Sequence, residues 1–210
     1  MKKLIALLFL ISCYSSVTGQ IAFQDVATSV GVGVTYGTGY LGGGVSFCDF
    51  DNDGWDDLTM ASESGKTVKV YKNNNGSFVL VSTLFPELYE TKQVIWVDYD
   101  NDGDKDFFAV SNTQQNVLYR NDGNNVFVNI TMTSGLFTSN FLTFGASWGD
   151  FDNDGLLDIF ISNRDDISFN QRNYLYKNNG DDTFTDVTSS SGIDLNNHVT
   201  FCSAFFDYDN

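Results

Sequence analysis

One nine-residue string occurs three times in this chain. It reads Asp49-Phe50-Asp51-Asn52-Asp53-Gly54-Trp55-Asp56-Asp57, then Asp98-Tyr99-Asp100-Asn101-Asp102-Gly103-Asp104-Lys105-Asp106, then Asp150-Phe151-Asp152-Asn153-Asp154-Gly155-Leu156-Leu157-Asp158. A fourth copy begins at Asp207-Tyr208-Asp209-Asn210. Self-similarity at a spacing of about fifty residues means one supersecondary unit stacked on copies of itself. Single isolated units of that size cannot bury their apolar faces alone, so neighbouring copies must cover one another.

The remainder of each unit repeats as well. After the string comes a short apolar run: Leu58 to Ala61, Phe107 to Val110, Ile159 to Ser162. A tyrosine-bearing run follows and leads into a polar turn: Val70-Tyr71-Lys72, Leu118-Tyr119-Arg120 and Leu175-Tyr176-Lys177, each before an Asn/Asp/Gly cluster. Asn and Gly between strand-like runs predict hairpins, because both tolerate positive φ. A third run stands at Phe78 to Val81, Phe127 to Ile130 and Phe184 to Val187, and a fourth precedes the next string at Val94 to Val97, Gly145 to Trp148 and Ser203 to Phe206. Four short strands per unit predict an all-β fold, a β-propeller of four-stranded blades. The expectation is an incomplete N-terminal fragment of about three blades plus the start of a fourth, because propellers close with about four to eight blades. Residues 20–210 form this partial propeller, with loops at 49–57, 98–106 and 150–158 and a truncated one from 207. Near the start, Phe23-Gln24-Asp25-Val26-Ala27 matches Phe184-Thr185-Asp186-Val187-Thr188. It reads as an outer strand standing alone, which a closed ring would use to complete its last blade. No segment carries a sustained helical period, and Pro86 is the only proline.

The string is Asp-x-Asp-x-Asp-Gly-x-x-Asp, and its chemistry is that of a metal loop. Carboxylates at positions 1, 3 and 5 with glycine at 6 match the first half of an EF-hand loop. An EF-hand needs a bidentate acid at position 12, where this chain has Met60, Ala109 and Ile161. The closing acid stands instead at position 9, and strands rather than helices flank the loop. Four carboxylates in nine residues repel one another without a cation. Ca²⁺ takes about six to eight oxygens, whereas Mg²⁺ keeps its waters. Zinc and copper want His or Cys, and the chain has one histidine, His198, and three scattered cysteines. Calcium is the expected ion, with Asp49, Asp51, Asp53, Asp57, Asp98, Asp100, Asp102, Asp106, Asp150, Asp152, Asp154 and Asp158 as ligands and Asp207 and Asp209 opening a fourth site. A purely structural ion is preferred over one that bridges to a ligand.

Composition narrows the partners. The net charge is −16, from 27 acidic residues against 11 Lys and Arg. Only Glu63, Glu87 and Glu90 are glutamates, so 24 of the acids are aspartates, a choice suited to turns and metal loops. Such a charge speaks against nucleic acid and anionic membranes. Residues 1–19 read as a signal peptide: Met1-Lys2-Lys3, an apolar run from Leu4 to Ile11, then small and polar residues to Gly19. The run is too short to span a bilayer. Cleavage after Val17-Thr18-Gly19 is preferred, with a lipobox at Leu10-Ile11-Ser12-Cys13 and a lipid anchor on Cys13 as the alternative. Both place the protein outside the cytoplasm, secreted or at the cell surface. Cys48 and Cys202 read as small buried apolar residues, with no pairing implied.

These motifs resemble the FG-GAP/VCBS repeat family, whose calcium loops also occur in the integrin α-subunit propeller. The resemblance rests on the Asp-Phe-Asp-Asn-Asp-Gly loop, the Leu-Tyr-Lys-Asn-Asn-Gly hairpin and the Phe-Thr-Asp-Val-Thr strand, and extends from Ile21 to Asn210. It looks closest to bacterial secreted VCBS-repeat proteins and the ASPIC/UnbV group. It implies a propeller, commonly of seven blades, with one calcium between the first two strands of each loop-bearing blade. The ligand set it implies adds the position-7 carbonyls of Trp55, Asp104 and Leu156. The family's Phe-Gly…Gly-Ala-Pro stretch is kept only as Phe144-Gly145-Ala146, which weakens an integrin-like adhesion role.

No catalytic set stands out. His198 lies in a polar linker, and no nucleophile elbow, Cys-x-x-Cys or phosphate loop is present. Trp55, Trp96 and Trp148 read as packing between blades in preference to stacking on sugars. The favoured function is an extracellular calcium-binding propeller that binds or adheres to a protein or polysaccharide. The alternatives are a calcium-stabilised propeller within a secreted polysaccharide-degrading enzyme, whose catalytic residues lie outside this stretch, and a structural spacer in a large surface protein.

Overall fold

The computed structural model describes residues 23–34, 42–81, 84–136, 142–164, 172–193 and 200–206. The predicted signal peptide at 1–19, Cys13 and His198 lie outside the described residues. Twelve strands and no helix are present among the described residues. They form three antiparallel four-stranded sheets, each in simple sequential order. The first contains β1 (Val45–Cys48), β2 (Asp57–Met60), β3 (Lys69–Asn74) and β4 (Ser77–Leu80). The second contains β5 (Thr91–Val97), β6 (Asp106–Ser111), β7 (Val117–Asn121) and β8 (Phe127–Asn129). The third contains β9 (Thr143–Gly149), β10 (Asp158–Asn163), β11 (Tyr174–Asn178) and β12 (Phe184–Asp186). Each first strand lies against the next sheet's first strand, β1 on β5 and β5 on β9. This is the arrangement of successive propeller blades.

The hairpins form where the turn residues demand them. Asn74 pairs with Ser77, leaving Asn75 and Gly76 as a two-residue loop with φ of 52° and 90°. Two positive φ values in a row match the right-handed twist of the flanking strands.

The cores lie between blades, and β6 shows why. Side chains alternate faces along a strand, so Phe107 and Ala109 enter the core shared with the first blade while Phe108 and Val110 enter the core shared with the third. All six β6 residues are buried. In the first core Phe50 stacks on Trp96 at 4.8 Å and Phe85 stacks on Phe107 at 3.9 Å, centroid to centroid. In the second, Trp148 meets Phe108 edge-on at 5.7 Å beside Tyr99 and Phe184. Trp96 and Trp148 thus pack between blades, whereas Trp55 is 46% exposed at the loop tip and does not. Burial also fails for Cys202, which is exposed, and Cys48 is half-buried; neither is disulfide-bonded.

Two turn segments, one in the link after β8 and one near the N-terminus, latch onto the outer strand of a blade. Ser134 carbonyl accepts the Phe184 N–H at 2.7 Å, and Val30 carbonyl accepts the Phe78 N–H at 2.8 Å. The N-terminal segment therefore docks on β4 through its turn, while Phe23 is 96% exposed and Phe23 to Val26 join no strand. The link after β4 departs from this pattern by sending Phe85 into the first core. Residues 200–206 run beside β9 without forming a described strand: the Phe201 carbonyl oxygen would lie 2.8 Å from a Cβ at Gly145.

Candidate metal centres

Each aspartate string is the connection between a blade's first and second strands. Its asparagine at position 4 is left-handed (Asn52, Asn101 and Asn153, φ 59°, 61° and 58°) and its glycine at position 6 has φ of 91°, 94° and 89°. Asparagine tolerates the first conformation, and only glycine adopts the second without strain. The resulting curl gathers carboxylates. Ligand atoms of Asp49, Asp51 and Asp53 lie within 4.8 Å of one another, as do those of Asp98, Asp100 and Asp106, and those of Asp150, Asp152 and Asp158. Asp207 and Asp209 lie outside the described residues.

The position-9 acids are the most buried part of each loop. Asp57, Asp106 and Asp158 are at most 1% exposed. Each uses one oxygen for the N–H of position 2 (Phe50 3.3 Å, Tyr99 3.1 Å, Phe151 3.0 Å) and the other for an N–H of the third strand (Asn73 2.7 Å, Asn121 2.8 Å, Asn178 2.8 Å). They staple the loop shut from below. A carboxylate oxygen has a second lone pair, so the staple leaves capacity for an ion. Burial, opposed by these N–H groups, pushes Asp106 up to about 7 and raises Asp57 and Asp158 as well. Asp100 is raised too, by burial first and then by Asp102.

The position-5 acids lie at the rim. Asp53, Asp102 and Asp154 accept the N–H of position 7, from Trp55 at 3.0 Å, Asp104 at 2.8 Å and Leu156 at 2.9 Å. Lys72 bridges Asp51 and Asp53, and Lys177 bridges Asp152 and Asp154. Hydrogen bonds from these ammonium groups hold Asp53 and Asp154 below the usual carboxylate range, and the same bonds raise both lysines. Loop 1 is tied to loop 2 by Asn52 Nδ2, which donates to Asp104 Oδ1 at 3.3 Å. Loop 2 is tied to loop 3 by Asn101 Nδ2, which donates to the Gly155 carbonyl at 2.9 Å.

Two buried oxygens test whether these loops suit a cation. Asp51 Oδ1 and Asp98 Oδ1 are buried and accept no hydrogen bond. A desolvated carboxylate oxygen without a donor is costly, and a hard cation that takes oxygen ligands removes that cost. The donor set is all oxygen, as Ca²⁺ requires. The residues present fit.

A further residue type belongs to the site. Asn73, Asn121 and Asn178 are nearly fully buried. Each donates its side-chain N–H to the carbonyl at loop position 8 (Asp56, Lys105, Leu157) and accepts the N–H of the hairpin glycine (Gly76, Gly123, Gly180). Together with its backbone N–H on the position-9 acid, this asparagine joins loop, strand and hairpin. In the sequence it stands as the first residue of a polar turn, marked only by the thrice-repeated Tyr-x-Asn.

Comparison with known families agrees with this geometry. The model of the FG-GAP-like repeat matches residues 49–109 and again 98–161. Both matches run from one aspartate loop through a blade to the next loop's second strand. Among curated proteins none matches the chain. With the three described loops, the hairpin asparagines Asn73 and Asn121 and most of the first two blades falling in the matched repeats, over more than half its length, this chain belongs to the FG-GAP-like repeat family.

Proposed function

We propose that the chain is an extracellular, calcium-stabilised β-propeller module that binds a protein or polysaccharide partner and is not itself an enzyme. FG-GAP-like repeats build propeller-type binding modules, and the blades described here fit that role. The observation that carries the calcium reading is the pair of buried, donorless oxygens at Asp51 and Asp98. Each belongs to a cluster of aspartates that only oxygen-seeking cations suit. The ion is structural in this reading: it neutralises the loop that joins a blade's two innermost strands and so fixes how those strands leave the sheet. Exposed rim carboxylates favour modest affinity, which suits calcium at about 10⁻⁴ to 10⁻³ M as met by extracellular modules. The signal-peptide reading of residues 1–19 supports the same compartment, and among the described residues no helix is long and apolar enough to cross a membrane.

Thermal unfolding in chelator and in millimolar calcium tests the ion. Calcium at ten times its dissociation constant stabilises the fold by about 1.4 kcal/mol per site, so the midpoint rises, and magnesium at equal concentration raises it less. An unchanged midpoint overturns the calcium reading. The partner is tested by probing glycan and matrix-protein arrays in calcium and in chelator. Calcium-dependent retention on a defined surface is expected, and no retention on any surface overturns the binding role.

A further inference from the structure

The three loops share one ligand pattern but not one electrostatic neighbour. In loops 1 and 3 the third strand carries a lysine directly after its tyrosine, and that lysine sits on the loop: Lys72 on Asp51 and, at 3.0 Å, on Asp53; Lys177 on Asp152 and, at 2.6 Å, on Asp154. These are positions 3 and 5 of the string. In loop 2 the same strand position is Arg120, whose guanidinium turns away to Asp122, at 2.6 Å, and to Asp182 of the third blade's hairpin. The cause is local. Asp122 stands where the other blades have Asn74 and Asn179, and Asp182, which also accepts the Tyr99 hydroxyl at 2.8 Å, adds a second acceptor on the far side. The loop-2 carboxylates of Asp100 and Asp102 are left to backbone donors, the N–H groups of Asp102 at 3.3 Å and Asp104 at 2.8 Å.

The first carboxylate differs in the same sense. Asp49 receives the N–H groups of Asp53 and Gly54 at 3.0 and 2.8 Å, and Asp150 those of Asp154 and Gly155 at 3.1 and 2.8 Å. Asp98 Oδ1 is buried and has no donor. Loop 1 also keeps one donorless oxygen, Asp51 Oδ1, but in loops 1 and 3 an ammonium sits on the position-3 and position-5 carboxylates, whereas in loop 2 none does.

We propose that Lys72 and Lys177 are built-in competitors of the bound ion, so that loop 2 is the tight calcium site and loops 1 and 3 are weaker sites held together by lysine when calcium is low. The proposal rests on the calcium reading above. An ammonium and a calcium ion held by the same two carboxylates would lie a few ångströms apart and repel. Calcium entering loop 1 or 3 must first displace the lysine, whereas in loop 2 it meets carboxylates with no cation on them. In exchange, loops 1 and 3 keep their shape without metal. The central blade then depends most on the ion, and its neighbours least.

Calcium titration of the chain by calorimetry tests this. Among the three described loops, one tight equivalent and two weaker ones are expected, about tenfold apart. Lys72→Met converts one weak equivalent into a tight one, and Lys177→Met does the same independently at the other blade. The pair Arg120→Lys with Asp122→Asn places a competing ammonium at loop 2 and weakens the tight equivalent by a similar factor. A second readout separates competition from simple loss of structure: each lysine variant melts lower than the parent in chelator, yet gains more from added calcium than the parent does. Three equal affinities in the parent chain, or lysine variants whose calcium affinity is unchanged or lower, overturn the proposal while leaving calcium binding intact. No calcium heat in parent or variants overturns both.

Discussion

Asp106 has no exposed surface, takes two backbone N–H groups, and stands in a cluster with Asp98 and Asp100. Burial lifts its carboxyl to about 7 from an ordinary 3.8. The folded chain therefore holds this proton more tightly than the unfolded chain does. Its contribution to stability is complete below about pH 3.8 and is lost as the pH rises through about 7. Asp57 and Asp158 shift in the same direction. Asp53 and Asp154 shift downward and act below that window. In chelator the urea midpoint should accordingly fall between pH 5 and pH 8, with a shallower fall in Asp106→Asn and in saturating calcium, where the ion takes over from the proton. A flat profile in chelator would discard this account. The aspartates were legible from sequence because their chemistry is confined to nine contiguous residues. Asn121 was not, because its work lies in bonds to Lys105 and Asp106, which only strand pairing brings near.

At the level of elements, the latch glycines carry the sharpest expectation. Gly135 has φ of 77°, and a Cβ there would lie 2.7 Å from the Phe184 carbonyl oxygen. Gly76 has a similar φ of 90° with nothing within 4 Å. Gly76→Ala should cost about 1 kcal/mol for the left-handed backbone alone. Gly135→Ala adds a backbone clash and should cost at least about 1–3 kcal/mol more, read by chemical denaturation; equal losses in the two variants would remove the latch from the energetics. Most strands could be read in advance, since short β-branched and aromatic runs between Asn/Gly turns leave little choice. The link after β4 could not. It lacks the latch glycine, and Phe85 finds its place only in a core assembled from Trp96, Phe107, Tyr119 and Phe127 of the next blade. Trp55 departs from expectation for the reverse reason: it shares a loop with the buried Phe50 and Asp57, yet its position 7 faces solvent.

Across the molecule, the repeat revealed that blades stack but not what ties them laterally. Beside the shared apolar cores, polar ties cross from one blade to the next, among them Asn52 to Asp104, Asn101 to Gly155, and Tyr99 and Arg120 to Asp182. None is visible in any single unit, because each needs two units in register. Asn101→Gly keeps the left-handed turn and removes only the amide. It should lower stability by about 1 kcal/mol while leaving the number of calcium equivalents unchanged; an unaltered denaturation midpoint would show that this tie carries no energy. The two asparagines also place the loops in series along one face of the blades. Tension applied to the first blade reaches the third by way of the second, so the rupture force of the row is set by its weakest joint.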